Sequence, residues 1–183
     1  MSGRLKALHP NDLDAGQRKT YDDIFARRGR VSGLFMAWLR NPELAERAQK
    51  LGAYCRYDST LSPMLSELAI LVVARHWKAQ AEWAIHAPIA KKEGVPAHAI
   101  DSILVGSDPH LSDPTARIVY DYASELLRET RVSDQTHTLA MQTLGEKGVV
   151  DLVGLLGYYG LVALTLNAFE VPVPQGSDVP FAE

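Results

Sequence analysis

The sequence has little cysteine and little excess charge, and both shortages exclude whole classes of protein. Cys55 is the single cysteine among 183 residues, which excludes an intrachain disulfide, a multi-cysteine zinc site and a two-cysteine redox motif within one chain. The formal net charge of −3 argues against a nucleic-acid-binding protein that uses a basic surface. Residues 1–6 lack the apolar core of a signal peptide. We therefore expect a cytoplasmic protein that binds neither nucleic acid nor membrane.

Common catalytic and cofactor-binding motifs are also missing. The chain has no GxGxxG or GxxxxGK[ST] loop, so no standard nucleotide site is indicated. It has no HExxH motif, no ExxH pairs of the kind found in di-iron bundles, and no GxSxG elbow of serine hydrolases. We expect neither an organic cofactor nor a metal.

Helical periodicity dominates what is present. Apolar residues recur at steps of three and four, and Pro and Gly mark the ends of segments. No stretch reads as a convincing strand, so we predict one all-α domain over residues 1–183, with its core at about 10–170 and an extended Pro-rich tail at 171–183. The tail either wraps a neighbouring subunit or is disordered. The predicted helices cover about residues 14–28, 34–39, 42–54, 62–94 with a break near Trp77 and Lys78, 96–104, 113–130, 133–145 and 147–169.

The last predicted helix is apolar and long enough to raise the question of a membrane span. Asp151 and Asn167 argue against contact with lipid. Gly154, Gly157 and Gly160 would let another helix approach closely, either in the core or at a subunit contact. We predict that this helix is buried in protein.

The candidate chemistry lies in one stretch, residues 67–86. Glu82 and His86 are four residues apart, so they are neighbours on one face of a helix. A carboxylate beside an imidazole in apolar surroundings suits proton transfer, whereas the structural alternative is a surface ion pair. Glu67 lies in a helix that is apolar almost all round, where an unpaired Glu is rarely tolerated. Its structural alternative is an ion pair with Arg75 or with another arginine.

The spacing of these residues resembles the core motif of the carboxymuconolactone decarboxylase and alkylhydroperoxidase D-like superfamily. Its peroxidase branch has Glu, eleven residues, Cys, two residues, Cys, three residues and His. Glu67 and His86 stand at the ends of this pattern, while Ala79 and Glu82 replace the cysteines. That replacement resembles the decarboxylase-type branch, and similar flanking segments extend the likeness over about residues 10–175. The chain departs at Ala81, where related sequences carry Tyr or His.

The resemblance implies a compact helical domain that forms dimers, trimers or hexamers with active sites near subunit contacts. It also implies a cofactor-free lyase, or a related isomerase, acting on a small carboxylated lactone or keto acid. In this mechanism His86 gives and takes the proton, Glu82 orients the imidazole, and Glu67 shares a proton with Glu82 as a second member of the relay. A thiol peroxidase is not expected, because Cys55 lies outside the motif.

A small anionic substrate also needs a cation and apolar walls. Arg56 and Arg75 are the local candidates to hold the anion. The cluster of Arg27, Arg28 and Arg30 is read either as a solvated helix end, as a contact to the acidic half of the chain, or as part of an anion site or subunit contact. The candidates to form the pocket walls, each of which could equally be core, are Phe35, Tyr57 and Trp83.

Two other functions remain open at this point. The chain could be a catalytically silent ligand-binding or scaffold protein that keeps the fold. It could also hold a metal through Glu82, His86 and His76.

Overall fold

The computed structural model describes residues 3–6, 8–31 and 33–181, and these form helices joined by turns and loops. No strand occurs in the described part of the chain, so the all-α prediction is confirmed. A short 3-10 turn at Pro10–Asp12 precedes the helices, which are α1 (Ala15–Arg28), α2 (Leu34–Trp38), α3 (Pro42–Ala53), α4 (Pro63–His76), α5 (Gln80–Lys92), α6 (Ala97–Val105), α7 (Pro114–Glu129) and α8 (Asp134–Ala168).

Local capping explains where several helices begin and end. Asp14 accepts a hydrogen bond from the backbone N–H of Gln17, whose side chain accepts from the backbone of Asp14 in return. Gly29 closes α1 in the left-handed conformation at φ 70°. Proline stands at the first position of α3, α4 and α7, where its missing N–H costs nothing. These helix starts agree with the sequence prediction because they depend on local chemistry.

Two breaks in the long helical segments also lie where the sequence indicated them. Residues 77–79 separate α4 from α5, and Lys78 has a positive φ of 48°. α8 is interrupted at Gly145, whose φ of 70° and ψ of 172° are not helical. The break at residues 77–79 lets α5 turn back against α4, so that side chains of the two helices can meet.

The segment after α3 differs from the prediction. Tyr57 and Asp58 were expected to begin a loop, but residues Tyr54–Asp58 form a π-helical turn that continues α3. Such turns are rare and occur frequently at functional sites. Here the turn carries Arg56, which reaches the buried Glu67, and Tyr57, which stays exposed.

α4 is the central helix of the fold. It packs against α5, α7 and α8, and every residue from Leu65 to Ala74 is buried. Burying each Leu or Ile side chain contributes about 1.5–3 kcal/mol to folding, so this apolar run anchors the core. Glu67 is the charged residue in the run, and its carboxylate must find partners inside the protein.

α8 is long and apolar enough to cross a membrane by length and composition. Its most apolar window has a mean hydropathy of 1.9, and 61% of that window is buried inside the protein. Packing against α4, α5 and α7 accounts for most of this apolar surface, as in the core helix of a globular domain. An exposed stripe remains on its outer face and is considered below.

The tail after α8 is non-helical, as predicted, but it folds back onto its own chain. The Phe181 side chain is buried, and its ring lies 5.4 Å from the ring of Trp83 between centroids. The side chain of Gln80 accepts a hydrogen bond from the Phe181 N–H at 2.9 Å and donates to its carbonyl at 2.7 Å. The expectation that the tail wraps a neighbour or is disordered is therefore wrong for residues 171–181, and residues 182–183 lie outside the described residues.

A buried carboxylate on α8 holds the π-helical turn in place. Asp151 accepts hydrogen bonds from the Tyr54 hydroxyl at 2.7 Å, from the Thr60 N–H at 2.8 Å and from the Thr60 hydroxyl at 2.7 Å. Burial raises the pKa of Asp151, but these hydrogen bonds outweigh it and the net pKa is lowered. The turn that carries Arg56 and Tyr57 is thus fixed at both ends to α8.

We predict that Asp151→Ala lowers the free energy of unfolding by about 2–3 kcal/mol, because charged acceptors of this kind contribute at least that much. Tyr54→Phe removes one of the three hydrogen bonds and should cost about 1 kcal/mol. Urea unfolding monitored by circular dichroism measures both. Equal stability of Asp151→Ala and the wild type would contradict this role.

Candidate functional site

A cavity of about 540 Å³ lies between α1, α2, the π-helical turn, α5 and α8. The N-terminal segment around Leu5 and the tail around Pro172 close its outer side. Its volume is in the range of small-molecule sites. The cavity is the place where the predicted catalytic residues can be tested for proximity.

Glu67 on α4 and His86 on α5 form a hydrogen-bonded pair beside this cavity. Glu67 Oε2 lies 2.7 Å from His86 Nδ1, and both side chains are buried. Arg56 Nη2 from the π-helical turn lies 3.5 Å from the other Glu67 oxygen. Glu67 is thus paired with an arginine, as one reading of the sequence had it, and of the two alternatives its partner is another arginine, Arg56, and not Arg75.

This pairing determines which nitrogen of the imidazole is available. A carboxylate can only accept hydrogen bonds, so His86 Nδ1 donates to Glu67. In the neutral ring Nε2 then carries the lone pair, and His86 lines the cavity. The ring is ready to take up a proton, and the Glu67 carboxylate stabilises the imidazolium that results.

The prediction that Glu82 orients His86 is therefore wrong. The two residues share a face of α5, but the imidazole turns its Nδ1 toward α4 and finds Glu67 there. Sequence spacing shows neighbours within a helix, whereas this partner comes from a different helix across the α4–α5 break.

Glu82 differs from Glu67 in having no partner for its carboxyl group among the described residues. Its side chain lines the cavity, the residue is 1% exposed, and neither carboxylate oxygen has a hydrogen-bond partner among the described residues. Burial raises the pKa of Glu82 well above its ordinary value of 4.5. Burial without a partner therefore favours the neutral carboxylic acid, and in this form Glu82 can donate a proton.

Two tyrosines on α8 also line the cavity, and the sequence did not single them out as site residues. The Tyr159 ring meets the His86 ring edge-on at 5.3 Å between centroids, and Tyr158 lines the cavity beside it. Burial raises the pKa of Tyr158 to about 12 and that of Tyr159 well above 10. Both hydroxyls therefore stay protonated and can donate hydrogen bonds. The available signal was two adjacent phenols in an otherwise aliphatic helix.

Gly52 on α3 makes room for Tyr158. A Cβ atom at position 52 would lie 2.1 Å from the Tyr158 hydroxyl oxygen, which no real contact allows. The glycine thus lets the phenol stand against α3.

The predicted substrate-binding residues divide into two groups. Phe35, Arg56 and Tyr57 line the cavity. Arg75 and Trp83 do not, which corrects their predicted role: Arg75 Cζ lies 5.7 Å from the centroid of the Phe181 ring, and Trp83 packs on the same ring. Trp83 follows Glu82 directly, so it projects from α5 about 100° away from the cavity side.

The residues suggested for metal or thiol chemistry lie apart from this arrangement. Within the described ranges no three His, Cys, Asp or Glu side chains are grouped to hold a metal ion. His76 is exposed and packs edge-on against Trp77 at 5.1 Å. Cys55 is buried, and burial raises the pKa of its thiol, which disfavours the reactive thiolate.

Comparison with known proteins supports the family resemblance. Residues 42–125 match the model of the carboxymuconolactone decarboxylase family. This region contains α4 and α5 and so includes Glu67, Glu82 and His86. No match was found among curated proteins.

Solved structures of similar fold cover nearly the whole chain. A peroxidase-related protein of Silicibacter sp. TM1040 is 13% identical with a TM-score of 0.77, over 94% of this chain and 92% of that one. The alkylhydroperoxidase AhpD core of a peroxidase-related protein from Ralstonia eutropha JMP134 is 13% identical with a TM-score of 0.78, over 96% and 94%. The debrominase Bmp8 is 11% identical with a TM-score of 0.72, over 98% and 94%. At these identities the likeness establishes the fold.

The unpaired Glu82 leads to a prediction about stability. Its pKa is raised in the folded protein, so the folded state holds the proton more tightly than the unfolded state. Stability contributed by this group is therefore lost as the pH rises above about 4.5, the value expected for the unfolded chain. Glu82→Gln should not show this loss, so thermal melts from pH 4.5 to 9 should favour the variant increasingly at higher pH.

The exposed Glu93 supplies a matched control for the same charge change. Glu93→Gln should follow the wild type at every pH. Parallel melting curves of the wild type and Glu82→Gln across this pH range would contradict a raised pKa for Glu82.

Proposed function

We propose that this chain is a cofactor-free carboxy-lyase. The match of residues 42–125 to the carboxymuconolactone decarboxylase family model and the fold shared with an alkylhydroperoxidase AhpD core support this proposal. The substrate would be a small carboxylated lactone or keto acid. The observation that carries the proposal is the 2.7 Å hydrogen bond between Glu67 and His86 beside the unpaired acid Glu82, at one cavity.

The first step would be loss of CO2. The bond between the carboxylate carbon and its neighbour breaks, and the electron pair flows into an adjacent carbonyl to form an enolate. Negative charge then develops on the carbonyl oxygen, and the Tyr158 hydroxyl is the cavity-lining donor that can stabilise it. The surrounding apolar side chains exclude water and strengthen this interaction.

The second step would be protonation of carbon. Glu82 donates its proton to the enolate carbon and becomes a carboxylate in apolar surroundings, which favours its rapid return to the neutral form. His86, held by Glu67, delivers the replacement proton from solvent. In the overall reaction, one substrate carboxylate and one proton are consumed, and one CO2 and one product molecule are released. The same groups would serve an isomerase that moves a proton between two carbons.

A catalytically silent ligand-binding protein is the second candidate. Ala81 lines the cavity beside Glu82 and supplies no proton-transfer group where related sequences carry Tyr or His. The site would then bind a small anion without turning it over.

Replacement of the proton-transfer groups tests the two candidates. His86→Ala, Glu67→Gln and Glu82→Gln should each reduce turnover about 10²- to 10⁴-fold, the usual contribution of a positioned acid or base. The assay is CO2 release from a panel of carboxylated lactones and β-keto acids. His98→Ala, an exposed histidine on α6, should leave turnover unchanged. No release by the wild type from any panel member would favour the silent protein.

We also propose that the chain forms a homo-oligomer through the outer face of α8. The exposed residues on this face are spaced at three and four and are aliphatic or glycine: Val150, Val153, Gly154, Gly157, Leu161 and Leu164. An uncharged stripe of this length requires an equally apolar partner surface. A second copy of the chain supplies it, because a two-fold contact brings the same stripe together with itself.

Charge introduced into the α8 stripe should separate the subunits. Leu161→Glu and Val153→Glu are expected to shift the mass measured by light scattering after gel filtration to that of one chain. Val105→Glu, which adds the same charge at an exposed position on α6, should leave the mass unchanged. A wild type that elutes as one chain at high concentration would contradict this contact.

A further inference from the structure

Arg28, the last residue of α1, lines the cavity, and the proposed mechanism gives it no role. Its guanidinium stacks on the Phe35 ring, with Cζ 4.7 Å from the ring centroid, and both residues line the cavity. The Nε and Nη2 atoms are buried and have no hydrogen-bond partner among the described residues. Burying a charged N–H group without an acceptor costs free energy of folding. A ligand that accepts hydrogen bonds from Nε and Nη2 would remove this cost.

The other cations of the cavity are already engaged or lie in water. Arg40 donates to the carbonyl oxygens of Met36 and Lys6, and Arg56 lies against Glu67. Lys6 and Arg30 are exposed. Among the cations of the described lining, Arg28 is distinguished by two buried N–H groups without an acceptor.

The geometry of the guanidinium indicates which anion fits. Nε–H and Nη2–H form one edge of the planar group, and two parallel donors on one edge match the two oxygens of a carboxylate. The Phe35 ring holds the guanidinium plane. Arg28, Glu82 and Tyr158 all line the same cavity, so the cation and the proton-transfer groups share one site.

We propose that Arg28 binds a carboxylate of the substrate that is retained in the product. This inference rests on the proposed function. The departing carboxylate loses its charge in the transition state, so an arginine bound to it would stabilise the substrate more than the transition state and slow the reaction. A retained carboxylate keeps its charge throughout and positions the ring between Tyr158, His86 and Glu82.

Binding of a product-like probe tests this role without requiring turnover. Calorimetry should show that the wild type binds 5-oxotetrahydrofuran-2-carboxylate about 10- to 100-fold more tightly than the methyl ester of the same lactone, the range expected for a charge-assisted pair. Arg28→Gln should abolish this preference. Arg28→Lys should keep only part of it, because an ammonium lacks the paired donors. Arg27→Gln removes the same charge from an exposed neighbour and should bind like the wild type.

The outcomes separate this inference from the proposed function. A carboxylate preference in Arg28→Gln equal to that of the wild type would overturn the role of Arg28, even if the wild type releases CO2. A preference that depends on Arg28 in a wild type that releases no CO2 would support the anion site and refute the lyase. Failure of the wild type to distinguish acid from ester would also overturn the inference. Melting curves of Arg28→Lys and Arg28→Gln check that both variants are folded.

Discussion

The burial of one carboxylate in the central helix controls the arrangement of the site. Glu67 lies in a run of apolar α4 residues, so its charge must be matched inside the protein. His86 reaches it from α5 and Arg56 from the π-helical turn. These contacts fix the imidazole tautomer, and they require that α5 folds back on α4 and that the turn after α3 lies against α4.

The two acids of the site are differentiated by their surroundings. Glu67 has a histidine and an arginine as partners, whereas Glu82 has no partner among the described residues and lies in apolar surroundings. The two environments have opposite effects: the Glu67 carboxylate accepts a hydrogen bond from an imidazole, whereas burial raises the pKa of Glu82. In the proposed reaction this difference separates the acid from the carboxylate that holds the base.

Other parts of the fold support this arrangement at a distance. Asp151 ties the π-helical turn to α8, and Gly52 leaves space for the Tyr158 phenol. Arg28 stacks on Phe35, and both line the cavity. The cavity thus combines buried acids, phenols and an imidazole with a cation, the combination on which the proposed function and the proposed role of Arg28 rest.

The sequence by itself determined much of the secondary structure, because helix caps and prolines act on their immediate neighbours. Caps, prolines and periodicity predicted the helices, and the spacing from Glu67 to His86 carried the resemblance to the superfamily, which the family-model match supports. The tertiary structure decided which side chains contact each other. Glu67, and not Glu82, accepts the hydrogen bond from His86. Arg56, and not Arg75, faces Glu67, and Trp83 packs on the tail. Sequence spacing describes neighbours within one helix, whereas these partners come from different helices. Their choice depends on the break at residues 77–79 and on the π-helical turn, whose geometry no periodic pattern encodes.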